Sequence, residues 1–185
     1  MRIIAGQHRG LILTDVGAGD AAAHLRPTGD RVRESLFNVL SGGRFGSPVN
    51  GARVLDLFAG TGALGREALS RGATHATFVE NGAVGLQLIR DNIARTGRGA
   101  DTQILKLDAT ALPATKIPYT LIFLDPPYGK SLGALALKSA ATSGWIAKGA
   151  IIVWEDNTAQ IPPKGFTRLD HRTYGDTHIT LLQAD

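Results

Sequence analysis

The chain of 185 residues contains no cysteine. This absence excludes disulfide bonds and thiolate metal ligands, and it is compatible with a reducing compartment. No apolar run reaches the roughly 20 residues of a membrane-spanning helix. The opening residues, MRIIAGQHRG, also lack the apolar region of a signal peptide. We therefore expect a cytoplasmic protein that makes no use of a membrane.

The composition otherwise indicates an ordinary globular protein. Hydrophobic residues make up 43% of the chain and charged residues 19%, which is typical of a folded domain. The length suits one domain with a small appendage. The formal net charge of +4 is a mild indication of a polyanionic partner, because basic proteins attract phosphates.

The chain is organised around the stretch VLDLFAGTGALG, residues 54–65. It reads as a buried strand, a glycine turn and the first turn of a helix. Gly60, Gly62 and Gly65 give the pattern G-x-G-x-x-G at the turn. Glycine accepts a positive φ and leaves no Cβ between the main chain and a ligand. The stretch therefore predicts a nucleotide-like ligand that lies on backbone atoms.

Acidic residues stand near the carboxyl ends of three of the predicted strands. Asp56 would repel a pyrophosphate on the helix N-terminus, but it would attract S-adenosylmethionine, which carries an ammonium and a sulfonium. Glu80 can accept hydrogen bonds from two ribose hydroxyls, and Asp108 could accept one from an adenine amino group. The structural alternatives are a helix-capping acid, a solvated strand end and a loop acid, respectively.

Strands and helices alternate along most of the chain. This alternation predicts an α/β fold with a doubly wound, mostly parallel seven-stranded sheet, whose ligand crevice lies at the carboxyl ends of the strands. A C-terminal antiparallel hairpin and a small N-terminal β-hairpin extension complete the prediction. The predicted strands are 54–58, 74–80, 102–107, 119–125, 150–155, 166–174 and 177–183, and the predicted helices between them are 63–71, 83–96 and 131–142.

Asp125, Pro126, Pro127 and Tyr128 directly follow an apolar strand. Consecutive prolines fix φ and remove two N–H donors, so the Asp125 carboxylate and the Pro126 carbonyl form a stiff pair of acceptors. Such a pair can accept both hydrogens of an exocyclic base amine, free its lone pair for attack on a methyl group and stabilise the charge that develops on nitrogen. Tyr128 offers a ring on which a flipped-out base can stack. The alternative is a rigid turn with a buried tyrosine.

Basic residues cluster near the N-terminus. Two short strand candidates, 2–5 and 11–14, flank a glycine-bracketed tip. We expect a phosphate-gripping tip, and a phosphate clamp at the start of a helix that Asp30 or Thr28 can cap and Gly42-Gly43 ends. The alternatives are a hairpin that only packs on the domain and a solvated helix face. The predicted phosphate contacts are His8, Arg9, Arg26, Arg31 and Arg33.

LDLFAGTGALG, FVE and FLDPPY together resemble the class I S-adenosylmethionine-dependent methyltransferases that modify amino groups. MRIIAGQHRG, RPTGDRVRESLFNVL and YGDT extend the resemblance, nearly end to end, to the RsmD-type 16S rRNA guanine-N2 methyltransferases. The resemblance implies a Rossmann-like methyltransferase fold and a target guanine in small-subunit rRNA. It further implies that the rRNA is presented in an assembled or assembling small ribosomal subunit, and that the enzyme is a cytoplasmic monomer.

The resemblance also assigns roles to residues and regions. Residues 1–45 would form an RNA-contacting extension, and residues 46–185 the S-adenosylmethionine-dependent domain. Transfer would be direct and in line, without a covalent enzyme intermediate and without a metal ion. Asp125, Pro126, Pro127 and Tyr128 would hold the target amine. The implied cofactor contacts are Asp56, Phe58, Ala59, Gly60 and Gly62 at the methionine moiety, Glu80 at the ribose, and Asn81, Asp108 and Ala109 at the adenine.

Three other functions remain open from the residues. An NAD-dependent dehydrogenase would fit the glycine pattern and Glu80, but not Asp56 beside a pyrophosphate. An adenine-N6 DNA or RNA methyltransferase, or a protein-glutamine methyltransferase, would share the Asp-Pro-Pro-Tyr motif. A non-catalytic RNA-binding module would use the N-terminal basic residues but not that motif.

Overall fold

A computed structural model describes residues 1–14, 29–129 and 131–185. These residues contain one seven-stranded sheet with the strand order β3-β2-β1-β4-β5-β7-β6. The strands are β1 (Arg53–Leu57), β2 (His75–Val79), β3 (Thr102–Leu105), β4 (Tyr119–Leu124), β5 (Ile146–Asp156), β6 (Phe166–Tyr174) and β7 (Thr177–Ala184). The helices are α1 (Asp30–Ser41), α2 (Ala63–Ser70), α3 (Ala83–Thr96) and α4 (Leu132–Thr142), with short 3₁₀ turns at Gly99–Asp101 and Ala109–Ala111.

The predicted α/β fold is confirmed. Strands β1 to β5 pair in parallel, and β7 pairs antiparallel with both β5 and β6. Strand β5 begins at Ile146, four residues earlier than predicted. The prediction missed this part because Gly149, at φ 74°, looks like a strand boundary, whereas it lies where the register between β4 and β5 shifts.

The sheet separates two apolar layers, because alternate side chains of a strand point to opposite faces. Val54 and Phe123 pack with α1, α2 and α3 on one face. Leu55 and Leu124 pack with α4 on the other face. None of the helices in the described ranges is long and apolar enough to cross a membrane.

Helix α3 has the predicted bounds. It ends before Gly97, which has a φ of 64° and donates its N–H to the carbonyl of Ile93 at 3.1 Å. Glycine is favoured at this position because a left-handed residue after the last turn satisfies free helix carbonyls. The local sequence therefore determines where this helix stops.

The predicted N-terminal hairpin is reduced to a single antiparallel bridge between Arg2 and Ile12. The reason is a competing acceptor on α2. The N–H groups of Ile4 and Ala5 donate to the Glu67 carboxylate at 2.8 and 3.0 Å. These two amides are thus bound to the helix, and the first predicted strand does not form a longer ladder.

Glu67 is fully buried and joins three parts of the chain. Besides the two N-terminal amides it accepts from Arg71 Nε at 2.7 Å, and Arg33 Nε on α1 lies 3.8 Å from its other oxygen. A buried carboxylate is tolerated only when cations and donors replace its hydration. Glu67 therefore ties the N-terminal segment and α1 to α2.

Helix α1 shares its core with the sheet. Leu36, Phe37 and Leu40 are buried in the same layer as Phe123, and the rings of Phe37 and Phe123 lie 5.7 Å apart. The predicted extension, residues 1–45, is thus packed against the domain through its helix. That this region contacts RNA stays a prediction.

We predict that Glu67→Ala lowers the free energy of unfolding by about 3–5 kcal/mol, since it leaves two arginines and two amides without their shared partner. Urea denaturation measures this loss. Glu34→Ala on the exposed side of α1 is the matched control, with an expected change below about 0.5 kcal/mol. A loss of less than about 1 kcal/mol for Glu67→Ala would contradict this account of the buried network.

Candidate active site

Acidic residues stand at or just beyond the carboxyl ends of all five parallel strands. In sheet order they are Asp108 after β3, Glu80 after β2, Asp56 within β1, Asp125 after β4 and Glu155 within β5. The sequence analysis identified the first four. It missed Glu155, which is the acid that closes the apolar run IIVWE.

The turn after β1 has the predicted strand–turn–helix geometry. Phe58, Gly60 and Gly62 have φ values of 59°, 55° and 74°. The N–H of Ala59 donates to the carbonyl of Val79 at 3.1 Å, and that of Gly62 to the carbonyl of Ala59 at 2.7 Å. Two of the three left-handed positions carry glycine, as the motif predicts. The third carries a half-buried phenylalanine, so this turn contains a strained non-glycine residue.

Gly65 serves a different purpose from the other two glycines. A Cβ added to it would lie 2.6 Å from the Phe78 ring. The third glycine of the motif therefore permits close packing of α2 on β2.

Asp56 caps the start of α2. Its Oδ2 accepts the Gly65 N–H at 2.9 Å, and only 2% of the residue is exposed. Burial raises the pKa of Asp56 to about 7, against the opposing effects of the Gly65 hydrogen bond and Arg66. The contact observed is the helix-capping alternative, and direct contact with a cofactor stays a prediction.

Glu80 connects the glycine turn to the loop after β2. Its Oε2 accepts the Gly60 N–H at 2.9 Å, and its Oε1 accepts those of Asn81 and Gly82 at 2.9 and 2.7 Å. A carboxylate offers about four lone-pair sites, so capacity remains for a ribose hydroxyl. The acceptor chemistry and the glycines of the turn fit the predicted adenosyl ligand.

Gly85 supports this arrangement, and the sequence analysis missed it. A Cβ at Gly85 would lie 2.9 Å from Glu80 Cγ and 3.0 Å from the Gly60 carbonyl oxygen. Glycine in the first turn of α3 thus lets the helix approach both groups. An isolated glycine within a helical pattern was the available signal.

Asp108 and Ala109 lie beyond β3. Asp108 is exposed, and its Oδ1 accepts the backbone N–H and the hydroxyl of Thr110 at 2.8 and 2.7 Å. The Thr110 hydrogen bonds hold the pKa of Asp108 below its ordinary value. Ala109 is buried in the 3₁₀ turn that Asp108 caps. Their predicted contacts with adenine stay predictions.

The Asp-Pro-Pro-Tyr segment lies beside the glycine turn. Strands β1 and β4 pair in register, and the Asp125 N–H donates to the Leu57 carbonyl at 3.5 Å. Asp125 and Tyr128 are half-buried, and Pro126 is buried. The Tyr128 hydroxyl donates to Glu155 Oε1 at 3.2 Å. Burial and the nearby Glu155 raise the pKa of the Tyr128 phenol above its ordinary value.

The predicted basic phosphate contacts lie in different parts of the chain. The N–H of His8 donates to Ser70 Oγ at 2.9 Å, so the tip with His8 and Arg9 packs at the end of α2 that lies away from the glycine turn. Arg9 and Arg31 are exposed. Their phosphate contacts, like those of His8, stay predictions. Arg26 lies outside the described residues.

The prediction that Arg33 binds phosphate is wrong. Only 1% of Arg33 is exposed, so no phosphate can reach it. Its guanidinium pairs with Asp30 at 2.9 Å, lies 3.8 Å from Glu67 and donates to the Arg2 carbonyl. The sequence pattern of α1 gave no sign of Glu67 and Arg2, because these two partners come from distant parts of the chain.

Comparison with known proteins places this arrangement among methyltransferases. A family model described as conserved hypothetical protein 95 matches residues 1–183. The chain is 41% identical over 190 residues to "Ribosomal RNA small subunit methyltransferase D" of Escherichia coli (strain K12), covering 100% of this chain and 90% of that protein. It is 33% identical over 190 residues to "Putative rRNA methyltransferase YlbH" of Bacillus subtilis (strain 168), covering 99% and 98%, respectively.

A solved structure extends the similarity to three dimensions. "Putative methyltransferase yhhF from Escherichia coli" superposes with a TM-score of 0.83 at 34% identity, covering 100% of this chain and 98% of that one. The similarity thus includes the N-terminal segment as well as the sheet.

We predict that Gly85→Ala weakens binding of S-adenosylmethionine by about tenfold or more, because overpacking costs about 1–3 kcal/mol and displaces Glu80 or Gly60. Isothermal titration calorimetry measures the affinity. Gly99→Ala is the control, since the atom nearest to an added Cβ there is 3.9 Å away. Equal affinities of the two variants would show that the close approach of α3 is not needed for binding.

We also predict a pH dependence of stability that comes from Asp56. The folded state keeps the Asp56 proton up to about pH 7, whereas the unfolded chain releases it near 3.8. The contribution of Asp56 to the free energy of unfolding is therefore complete below about pH 4 and is lost as the pH rises through about 7. Relative to Asp56→Asn, the wild-type protein should lose at least about 1 kcal/mol of unfolding free energy between about pH 4.5 and 7.5.

Urea denaturation across this pH range tests the prediction. Asp176→Asn, at an exposed acid in the β6–β7 turn, is the control and should follow the wild-type curve. Parallel curves for the wild-type protein and Asp56→Asn would refute the prediction.

Proposed function

The chain belongs to the conserved hypothetical protein 95 family, that of the RsmD-type methyltransferases, and from this membership we propose how and on what it acts. The proposed reaction is methyl transfer from S-adenosylmethionine to the exocyclic N2 amine of a guanine in 16S rRNA. The observation that carries the proposal is the hydrogen bond from the Asp125 N–H to the Leu57 carbonyl, at 3.5 Å. This contact joins the Asp-Pro-Pro-Tyr segment, which would bind the amine, to the end of β1 directly before the glycine turn.

The residues around the glycine turn would hold the cofactor. S-adenosylmethionine supplies an electrophilic methyl group when it is bound. Glu80 would accept hydrogen bonds from the ribose, and Gly60 and Gly62 leave the main chain accessible. Asp56, which also fixes the start of α2 through the Gly65 N–H, would contact the methionine moiety. Phe58, Ala59, Asn81, Asp108 and Ala109 complete the proposed binding set.

Asp125 and the Pro126 carbonyl would accept the two hydrogens of the guanine amine. This pulls the nitrogen toward tetrahedral geometry and makes its lone pair available, because the pair is no longer fully delocalised into the ring. Nitrogen would gain positive charge as the N–C bond forms and the S–C bond of the sulfonium breaks, which leaves a neutral thioether. The two acceptors are already oriented to stabilise this charge, and one proton of the methylated amine would then leave to Asp125 or to water. Tyr128 would stack on the base, and positioning supplies much of the acceleration. No metal ion takes part in this scheme.

The substrate is proposed to be rRNA within an assembled or assembling small ribosomal subunit, which the enzyme would meet in the cytoplasm as a monomer. The Escherichia coli relative is named for action on small-subunit rRNA. Exposed Arg9 and Arg31, together with His8 and Arg26, are the proposed RNA contacts, since such side chains position a protein on phosphates.

The alternative functions lack support from specific contacts. A dehydrogenase would have to place a pyrophosphate on the turn above Asp56. A non-catalytic RNA-binding module has no need for the rigid acceptor pair beside that turn. Adenine-N6 and protein-glutamine methylation would use the same acceptors, so the substrate assay below distinguishes them.

We predict that Asp125→Ala reduces methyl transfer by at least about 100-fold, because one of the two oriented acceptors is lost. Its affinity for S-adenosylmethionine should stay within about twofold of the wild-type value, or about 0.4 kcal/mol. Transfer is measured with labelled cofactor on 30S particles, naked 16S rRNA, DNA and protein, and affinity by calorimetry. Label is expected on rRNA as N2-methylguanine.

Asp91→Asn, on the outer side of α3 where its partner is Gln87, is the control and should keep full activity. Lost cofactor affinity with retained transfer in Asp125→Ala would reverse the assigned roles. Label on DNA or protein alone, or tight binding of NAD in place of S-adenosylmethionine, would overturn the proposed function.

A further inference from the structure

Glu155 is a buried acid to which the proposed reaction assigns no role. It is the penultimate residue of β5 and only 6% exposed. Strand β5 lies beside β4, so Glu155 stands next to the Asp-Pro-Pro-Tyr segment. Burying a carboxylate is costly unless hydrogen bonds replace its hydration. The Tyr128 hydroxyl donates to its Oε1 at 3.2 Å.

A second strand lies beside the Tyr128 phenol. Thr177, at the start of β7, opposes the rise in the pKa of Tyr128. Thr177 and Glu155 lie on neighbouring antiparallel strands, in which Glu155 is in register with Ile179. The far end of the tyrosine side chain is therefore attached to the rigid sheet, although its backbone belongs to a loop.

A tyrosine ring has two rotatable side-chain bonds, χ1 and χ2. When its hydroxyl is fixed at one end and its Cα at the other, the plane of the ring is fixed too. A loop tyrosine with its hydroxyl in water would keep rotational freedom, and ordering it on the substrate would cost conformational entropy. The contact with Glu155 removes this cost before the substrate arrives.

We propose that Glu155 is a positioning residue that sets the plane of the Tyr128 ring for stacking on the target base. The inference rests on the proposed function, in which Tyr128 stacks on the guanine. The orientation of the ring determines where the exocyclic amine lies relative to the methyl donor. An error of about 1 Å in such a placement can cost about 100-fold in rate.

Steady-state kinetics on 30S particles test the proposal with four variants. Glu155→Met keeps the length of the side chain but removes the acceptor, Glu155→Gln keeps a carbonyl acceptor, and Tyr128→Phe removes the donor. The fourth is the double variant Glu155→Met/Tyr128→Phe. We expect Glu155→Met and Tyr128→Phe each to lower kcat by about tenfold, with cofactor affinity within about twofold of the wild-type value.

The double variant is the decisive comparison. If Glu155 acts through Tyr128, the double variant should be no slower than Tyr128→Phe alone. Glu155→Gln should recover most of the activity, because its amide oxygen can accept the same hydrogen bond. Asp156→Asn, which makes the same charge change one residue further along β5, is the control and should keep the wild-type kcat.

Several outcomes would overturn the proposal. One is a lower kcat in the double variant than in Tyr128→Phe. The others are an equal loss of kcat in Glu155→Gln and Glu155→Met, or a wild-type kcat in Glu155→Met. If Glu155→Met does not fold, Tyr128→Phe alone still tests the proposal, and a wild-type kcat in that variant would overturn it. A wild-type enzyme that does not methylate rRNA would refute the proposed function itself, so the two failures are distinguishable.

Discussion

The parallel pairing of β1 with β2 on one side and β4 on the other is the constraint on which the candidate site depends. Register places Leu57 opposite both Val79 and Leu124. The three strands therefore end at the same level, and the glycine turn, Glu80 and Asp125 follow at one edge of the sheet. A slip of one residue would exchange the two faces of a strand and bury polar groups in an apolar layer. The packing that stabilises the fold thus also aligns the site.

The acids of this edge differ in function because they differ in surroundings. Asp56 is desolvated and holds a helix start. Glu80 is part of a hydrogen-bonded loop and keeps accepting capacity. Asp108 is exposed and caps a short turn. Carboxylates thus provide structural support at one strand end and keep accepting capacity at another, according to burial and to the donors that each strand end supplies.

The sequence could predict those features of the fold that depend on a local pattern of residues. The apolar runs of the strands, the glycine turn and the end of α3 are each encoded within a few residues. The shortened N-terminal hairpin and the burial of Arg33 could not be predicted, since both depend on Glu67 more than 30 positions away. Gly85 and Glu155 were missed for a related reason. Gly85 is identified only by its close approach to Glu80, and Glu155 only by its hydrogen bond to Tyr128.

The N-terminal segment is attached to α2 through its main chain. Glu67 accepts the N–H groups of Ile4 and Ala5 and makes no demand on their side chains. Because every residue except proline presents the same amide, positions 4 and 5 can drift during evolution while the docking persists. Position 67 has no such freedom. Homologues should accordingly differ more at the docked positions than at their acceptor, and proline should be the residue that selection removes from positions 4 and 5.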